Sequence, residues 1–147
     1  GLQSTLLLAK HLLKSVTVNK MFGDISPIVC SPSQINQVFL NLITNAAQAM
    51  GDRPGKIMLT TRNEGDGVVV EVEDDGGGIA PDVLPKIFDP FFSTKEIGKG
   101  TGLGLSISYK IVQQHGGRIE VESEVGTGTR FVIWLPCQPP ADVALAA

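Results

Sequence analysis

With 147 residues, of which 42% are hydrophobic, the chain is long enough for one domain with a buried core and too short for two. A net charge of -3 excludes a basic field for nucleic acid or for an anionic membrane surface, so any phosphate would be bound locally. Cys30 and Cys137 lie far apart without C-x-x-C spacing, which argues against a zinc site or a disulfide framework and favours a reducing cytoplasm.

The first predicted element is an amphipathic helix over residues 2–13, whose leucines fall mostly on one side. The chain starts inside this pattern, so we expect a fragment of a longer protein. No apolar run approaches the roughly 18 residues that cross a bilayer. We therefore expect a cytoplasmic fragment, with anchorage of the parent protein in the inner membrane left open. Residues 1–136 are interpreted as one domain and residues 137–147, rich in Ala and Pro, as a fraying tail.

Strand patterns and a long helix follow. Short strands are predicted at residues 16–21 and 28–30. Ser31 and Pro32 are typical of an N-cap and a first helical position, and the helix that they open runs to about Met50.

Two predicted hairpins enclose a loop and a helix. Their β-branched, alternating strands are residues 56–62, 68–74, 118–123 and 129–135. Residues 76–101 are rich in Gly, Pro and Lys, which predicts a long loop with one short helix at 82–87. A helix over 103–115 ends at Gly116 and Gly117. Helices segregated from largely antiparallel strands indicate a two-layer α+β sandwich.

An apolar stripe and an amide face run along the helix predicted at 33–50. The stripe consists of Ile35, Val38, Phe39, Leu42, Ala46 and Ala49, and the amide face of Gln34, Gln37, Asn41, Asn45 and Gln48. Amide oxygens suit Mg²⁺, which takes one or two protein ligands and leaves the rest to water and nucleotide phosphates. A solvated polar face is the alternative, and the pattern alone leaves both open.

Four glycines at alternate positions precede the last predicted helix, in GKGTGLGLSI at residues 98–107. They do not match the Walker loop, because Lys99 is followed by Gly100, and they do not match G-x-G-x-x-G. A flexible glycine segment at a helix N-terminus would suit an anion, which the unpaired N–H groups there attract. A mobile surface loop is the alternative.

A carboxylate closes the apolar row of the strand in VVVEVEDDGGGI. Strand alternation places Asp74 on the face of the preceding valines, so it is predicted to point inward. A buried carboxylate needs a donor, and the exocyclic amine of adenine is a fitting one. Gly76 and Gly78 would let the chain turn tightly around a flat base, with Ile79 against its face. We interpret Asp75 as part of a solvated turn.

Five segments then combine in one order and spacing: NLITNAAQA at 41–49, DDGGGI at 74–79, FDPFFSTK at 88–95, GTGLGLS at 100–106 and GTGTRF at 126–131. They resemble the N, G1, F and G2 boxes and the closing Gly-Thr segment of the catalytic, ATP-binding domain of sensor histidine kinases. The resemblance implies the Bergerat fold of the GHKL superfamily, a mixed, mainly antiparallel sheet of about five strands covered on one face by about three helices. It also implies ATP as the ligand and residues 88–102 as a lid over it.

The resemblance assigns roles to the polar side chains around the nucleotide. Asn45 resembles the Mg²⁺ ligand, with Asn41 in support. Asp74 resembles the aspartate that reads adenine, and Thr129 its hydrogen-bonded partner. The base pocket would be completed by Gly76, Gly78 and Ile79.

The lid receives its roles in the same way. Phe91 and Phe92 resemble its aromatic anchors, which is compatible with plain core packing. Lys95 and Lys99 resemble cations that meet the γ-phosphate, although solvated lysine is the alternative for at least one. The phosphates would be held by amides of Gly100, Thr101, Gly102, Leu103, Gly104 and Leu105.

Departures from the pattern shape the expected activity. Neither His11 nor His115 lies in a phosphoacceptor motif, so the histidine that receives the phosphoryl group is expected on a dimerisation domain absent from this fragment. Gln48 stands where many relatives carry Lys or Arg, which puts one phosphate contact in doubt. Asn41 occupies the position where the ATP-hydrolysing branches use a glutamate to activate water, which an amide cannot do.

The resemblance therefore predicts a protein histidine kinase domain that transfers the γ-phosphoryl group of Mg-ATP. A GHKL-type ATPase and a module that only binds nucleotide are the alternatives. The expected partners are the histidine-bearing domain and, indirectly, a response regulator, with no nucleic acid. The fragment itself is expected to be monomeric.

Overall fold

A five-stranded mixed sheet forms the centre of the computed structural model, which describes residues 16–23, 30–50, 55–89 and 104–138. The strands are β1 (Val16–Phe22), β2 (Gly55–Glu64), β3 (Gly67–Asp74), β4 (Arg118–Glu124) and β5 (Gly128–Pro136). Their order across the sheet is β1-β2-β3-β5-β4. β1 pairs parallel with β2 and every other pair is antiparallel, so the predicted mixed, mainly antiparallel sheet is confirmed.

Two α-helices, α1 (Pro32–Met50) and α2 (Gly104–Gln114), lie in the described part of the chain, with a 3₁₀ turn at Leu84–Lys86. Their bounds agree with the predicted helices to within one or two residues, and the 3₁₀ turn lies inside the short helix predicted at 82–87. The helix predicted at 2–13 and residues 28 and 29 of the short strand lie outside the described residues. Neither described helix is long and apolar enough to cross a membrane.

The core lies between the helices and one face of the sheet. Its largest fully buried side chains include Leu42, Ile43, Ile57, Leu59, Phe131, Ile133 and Leu135. The predicted stripe of α1 is buried except for Ala49, which is exposed, while Ile43, Ala47 and Met50 are buried beside it. Ala49 lies next to Gly76, which belongs to the loop that follows β3.

A buried histidine joins the end of α2 to the start of α1, and the two helices run antiparallel. His115, only 2% exposed, follows the last turn of α2 and reaches the start of α1. Its Nε2 accepts a hydrogen bond from the Ser31 backbone N–H at 3.1 Å, and its Nδ1 lies 2.8 Å from the Ile111 carbonyl oxygen. Because a carbonyl only accepts and Ser31 N–H only donates, the ring is the neutral tautomer with its proton on Nδ1. His115 therefore has a structural role between the two helices.

On the opposite face of the sheet, a row of charged side chains crosses β2, β3, β5 and β4. Both carboxylate oxygens of Glu71 are engaged, by Arg62 Nη1 at 2.7 Å and by Arg130 Nη1 at 3.3 Å. Arg130 Nη2 continues to Glu122 at 2.9 Å. We call these four residues the ion-pair row.

Trp134 lies on the same outer face, towards the β2–β3 turn. Its indole N–H donates to the Glu64 carbonyl oxygen at 3.1 Å. The Arg118 guanidinium lies over the ring, 4.8 Å from its centre. A side chain at Gly67 would collide with the same ring, so glycine lets the indole lie flat against the sheet.

Candidate nucleotide-binding site

Asp74 ends β3 on the inner face of the sheet and is 5% exposed, as the alternation of its strand predicts. Burial raises the pKa of its carboxyl group, and the nearby carboxylates of Asp75 and Glu73 add to that rise. Backbone N–H groups of Gly76 and Thr129 donate to the carboxylate and partly oppose it, the Gly76 bond being 2.9 Å long. The carboxylate is therefore held in place and still has acceptor capacity for a ligand donor.

The loop after Asp74 needs glycine for a different reason from the predicted one. A Cβ at Gly76 would come within 2.9 Å of the Ala49 carbonyl oxygen, at the end of α1. Gly78 has φ of 77°, and a Cβ there would overlap the Glu124 carbonyl oxygen. The glycines thus bring the loop against α1 and against the β4–β5 turn, whereas the sequence suggested only a tight turn around a base.

Asp75 differs in part from its interpretation as a solvated turn residue. It is exposed, but its Oδ1 accepts a 2.8 Å hydrogen bond from the Lys56 backbone N–H. A side chain at Gly55 would also approach that oxygen to 2.9 Å. Asp75 therefore fixes the start of β2, whereas Asp74 faces the interior.

A hydroxyl pair fastens this loop to the β4–β5 hairpin. Ser123 Oγ accepts from the Ile79 backbone N–H at 2.7 Å and lies 2.8 Å from Thr129 Oγ1. It also lies 3.1 Å from the Gly128 carbonyl oxygen, to which it donates. Thr129 is 4% exposed and pairs with Asp74 across the sheet.

Ser123 was not predicted, although a signal for it exists. The inward row of β4 reads Ile119, Val121 and Ser123, so a hydroxyl replaces the expected apolar side chain at the last position. The same reasoning identified Asp74 on β3. A pocket of about 340 Å³, a size near the lower end for ligand pockets, opens at this edge of the sheet. Its lining consists of Asp74, Ser123 and Thr129 together with Glu73, Glu122, Glu124, Thr127, Gly128 and Arg130.

The amide face of α1 meets the first turn of α2 through Asn41. The Asn41 Nδ2 donates to the Gly104 carbonyl oxygen at 3.0 Å and to Ser108 Oγ at 3.1 Å. Its Oδ1 accepts from Gln37 Nε2 at 2.8 Å. The Asn41 side chain thus connects α1, which carries the predicted metal ligands, with the start of α2, where the phosphates are predicted to bind. Asn45, one turn further along α1, is half-buried.

The start of α2 carries the last of the predicted residues that the structure describes. Gly104 is the first residue of the helix, and Leu105 packs half-buried against the core. Gly76, Gly78, Ile79, Asp74 and Thr129 gather at the ends of β3 and β5, while Asn41 and Gly104 lie where α1 meets α2. The predictions for Phe91, Phe92, Lys95, Lys99, Gly100, Thr101, Gly102 and Leu103 lie outside the described residues.

A family model described as "Histidine kinase-, DNA gyrase B-, and HSP90-like ATPase" matches residues 30–139, and the chain belongs to this family. It is therefore an ATP-binding domain, which confirms the resemblance drawn from the five sequence segments and the α+β sandwich that it implies.

Curated proteins similar to this chain include kinases. Sensor kinase CckA of Brucella abortus (strain 2308) is 48% identical over an alignment that covers 89% of this chain and 15% of that protein. Sporulation kinase E of Bacillus subtilis (strain 168) is 45% identical, with coverages of 83% and 16%. The chain thus spans a small part of the length of these curated relatives.

Solved structures show the same architecture. The nucleotide-free catalytic domain of histidine kinase ThkA is 32% identical with a TM-score of 0.83, and the match covers 94% of this chain and 91% of that one. Full-length ShkA, solved in complex with AMPPNP, is 27% identical with a TM-score of 0.80, over 97% of this chain and 30% of that one. The fold is that of histidine kinase catalytic domains.

Proposed function

We propose that this chain binds Mg-ATP and transfers the γ-phosphoryl group to a histidine on a separate dimerisation domain of the same parent protein. A response regulator would then receive the phosphoryl group from that histidine. The observation that carries the proposal is the carboxamide of Asn41 and its contacts with α2. Both acceptors that face it, the Gly104 carbonyl oxygen and Ser108 Oγ, receive its N–H groups.

A water-activating carboxylate does not fit that position. A glutamate at position 41 would set a carboxylate oxygen against the Gly104 carbonyl oxygen, and the Ser108 hydroxyl beside them already donates to that carbonyl at 2.8 Å. Hydrolysis needs a base to take the proton of water, whereas a neutral imidazole already presents a lone pair to the phosphorus. The contacts of Asn41 therefore favour transfer to histidine over hydrolysis.

The base and metal roles rest on side chains of two different elements. Asp74 would accept a hydrogen bond from the exocyclic amine of adenine, supported by Thr129. Asn45 would supply an amide oxygen to Mg²⁺, with Asn41 in support, and amide oxygens are hard ligands that this ion accepts. The ion would neutralise phosphate charge when bound. AMPPNP in the ShkA structure supports a nucleotide at this fold.

The roles of the segment before α2 stay predictions from the resemblance. Phe91 and Phe92 are proposed as anchors, and Lys95 or Lys99 as the cation nearest the γ-phosphate. The backbone amides of residues 100–105 are proposed to hold the phosphates. Lysine or arginine in place of Gln48 would have added a further cation, which this chain lacks at that position.

The test is phosphoryl transfer between separate proteins. Incubated with γ-labelled ATP and Mg²⁺, this chain alone should remain unlabelled, while the histidine-bearing domain of its parent protein should acquire acid-labile label when the two are mixed. Holding a nucleophile in line contributes on the order of 7 to 11 kcal/mol, so the isolated domain should be nearly silent. Label on this chain by itself, or rapid ATP turnover without an acceptor, would contradict the proposal.

A substitution in α1 tests the metal site within the same assay. Asn45→Ala should remove the Mg²⁺-dependent part of ATP binding and abolish transfer, because few protein ligands hold the ion. Gln34→Ala, on the same face but near the other end of the helix, is the control and should leave both unchanged. Unchanged Mg²⁺ dependence in Asn45→Ala would place the ion elsewhere.

A further inference from the structure

The geometry points to Ser123 as a specificity-determining residue: it fixes the direction of the Thr129 hydroxyl proton and thereby makes this edge of the base pocket accept, but not donate, hydrogen bonds. This inference rests on the proposed binding of ATP. It assigns the preference for a purine that carries an amine, over one that carries a carbonyl at the same position, to a residue that does not touch the base.

The argument begins with the single proton of the Ser123 hydroxyl. The Gly128 carbonyl oxygen at 3.1 Å can only accept, so the bond to it uses that proton. The Ile79 backbone N–H at 2.7 Å can only donate, so it occupies one lone pair of Ser123 Oγ. One lone pair remains for the contact with Thr129.

That remaining lone pair decides the direction of the bond between the two hydroxyls. With Ser123 Oγ and Thr129 Oγ1 2.8 Å apart, donation by Thr129 is the arrangement that gives both hydroxyl protons an acceptor, because Ser123 then keeps its proton for the Gly128 carbonyl oxygen. The Thr129 hydroxyl proton therefore points towards β4. Towards any other group, this hydroxyl can only accept a hydrogen bond. Thr129 is almost wholly buried, which holds this arrangement in place.

The consequence falls on the base that lies against Asp74. The Asp74 carboxylate accepts hydrogen bonds, and the backbone N–H groups of Gly76 and Thr129 already donate to it. Adenine presents an amine with two protons to such an edge. Hypoxanthine, seated in the same orientation, presents a carbonyl oxygen, which meets acceptors among the described residues because both N–H groups already donate to the carboxylate.

Ser123→Ala releases the Thr129 proton. The freed hydroxyl can turn and donate to a carbonyl on the base, so inosine triphosphate should gain relative to ATP. We expect the ratio of ATP to inosine triphosphate affinity, measured by calorimetry with Mg²⁺, to fall about 3- to 10-fold, as one neutral hydrogen bond would produce. Both affinities should also weaken together, because Ile79 N–H loses its acceptor, but that change leaves the ratio unaltered.

Three further variants isolate the hydroxyl direction. Ser123→Thr keeps the hydroxyl and should keep the wild-type ratio. Thr60→Ala removes a hydroxyl on the outer face of β2, away from the pocket, and should change nothing. In a Thr129→Val background, where no hydroxyl remains to turn, Ser123→Ala should leave the ratio as it is in Thr129→Val alone. Should Ser123→Ala fail to fold, Ser123→Cys, a weak donor and acceptor of similar size, should lower the ratio in the same direction.

The outcomes separate this inference from the proposed function. ATP binding with an unchanged ratio in Ser123→Ala would overturn the role of Ser123 and leave the proposed function standing. A fall in the ratio that persists in the Thr129→Val background would also overturn it. A wild-type chain that binds neither nucleotide would overturn both.

Discussion

At the scale of single residues, Asp74 combines a structural cost with a binding role. Burial raises the pKa of its carboxyl group, so folding favours the protonated form while an amine donor on the base needs the ionised one. The N–H groups of Gly76 and Thr129 make the charge tolerable without removing that conflict. Such a carboxylate should matter more to the ligand than to the fold.

Asp74→Asn should weaken adenine nucleotide binding by about 1.5 to 3 kcal/mol, since it removes a charged hydrogen bond at a buried position. Asp66→Asn is the matched control, because Asp66 is exposed in the β2–β3 turn, at the other end of β3 from Asp74. Calorimetric titration of both variants measures the difference. Equal losses would remove the assignment of Asp74. In the absence of nucleotide, Asp74→Asn should unfold no more easily than the wild type at neutral pH.

The pH dependence of Asp74 should have opposite signs for binding and for stability. As pH falls through its raised pKa, the carboxylate is lost and nucleotide affinity declines, at a higher pH than an ordinary aspartate would require. The free protein gains stability from this group over the same interval, because the folded state binds the proton more tightly than the unfolded state. Affinity and denaturation midpoint measured from about pH 8 to about pH 5 test both, with Asp74→Asn as the reference that lacks the contribution of this group.

The sequence predicts Asp74 and misses Ser123, although both end an inward row. Asp74 was noticed because a charge after three valines is conspicuous, whereas a serine after Ile119 and Val121 is chemically mild. The Asp75 contact with the Lys56 backbone was missed for another reason: it joins residues 19 apart, and no local pattern encodes that proximity.

At the scale of elements, α1 and α2 act as a pair joined at two points. Asn41 binds the first turn of α2, and His115 ties the end of α2 to the start of α1. The proposed metal and phosphate elements are therefore held in register by contacts at both ends of their interface. Loosening the His115 end should affect the fold first.

His115→Ala should destabilise the domain by roughly 2 to 4 kcal/mol. The substitution leaves a cavity at a residue that is 2% exposed, and it deprives the Ser31 N–H of its acceptor. The midpoint of chemical denaturation measures the effect. Gln114→Ala, the exposed neighbour, is the control and should change stability little. A loss in His115→Ala no larger than in the control would mean that the ring contacts contribute nothing.

Element existence was largely predictable, and strand direction was only partly so. The helical period of its apolar residues predicts α1, and the turn residues predict the antiparallel pairing in both hairpins, because both signals are local in the sequence. The parallel pairing of β1 with β2 depends on α1 crossing between them, and the residues of β1 carry no mark of direction. The exposure of Ala49 was not predicted, because a helical period gives the angle of a residue around the helix and not which element lies beside it.

At the scale of the whole molecule, the two faces of the sheet have different roles. The inner face carries the core and the site, while the outer face carries the ion-pair row across four strands. Glu71 is the centre of that row, and its side chain is only 15% exposed. Its charges are therefore less screened than those of an ordinary surface pair.

Glu71→Gln should reduce stability by about 1 to 2 kcal/mol, because two arginines lose their common partner. The loss should shrink in about 1 M salt, where the screening length is near 3 Å. Glu120→Gln is the control, since Glu120 is exposed and lies 3.9 Å from Arg118. Denaturation at low and high salt measures both. A loss that does not respond to salt would argue against an electrostatic origin.

The position of Trp134 makes the domain a selective optical reporter. It is the chain's one tryptophan, and it pairs with Val69, five residues along β3 from Asp74, which amounts to about 17 Å on the opposite face. The fluorescence emission of the indole should therefore change on unfolding, when Arg118 leaves the ring and water reaches it. It should hardly change when nucleotide binds. Emission can thus separate variants that lose the fold from variants that lose only the ligand, in the same cuvette and without a label.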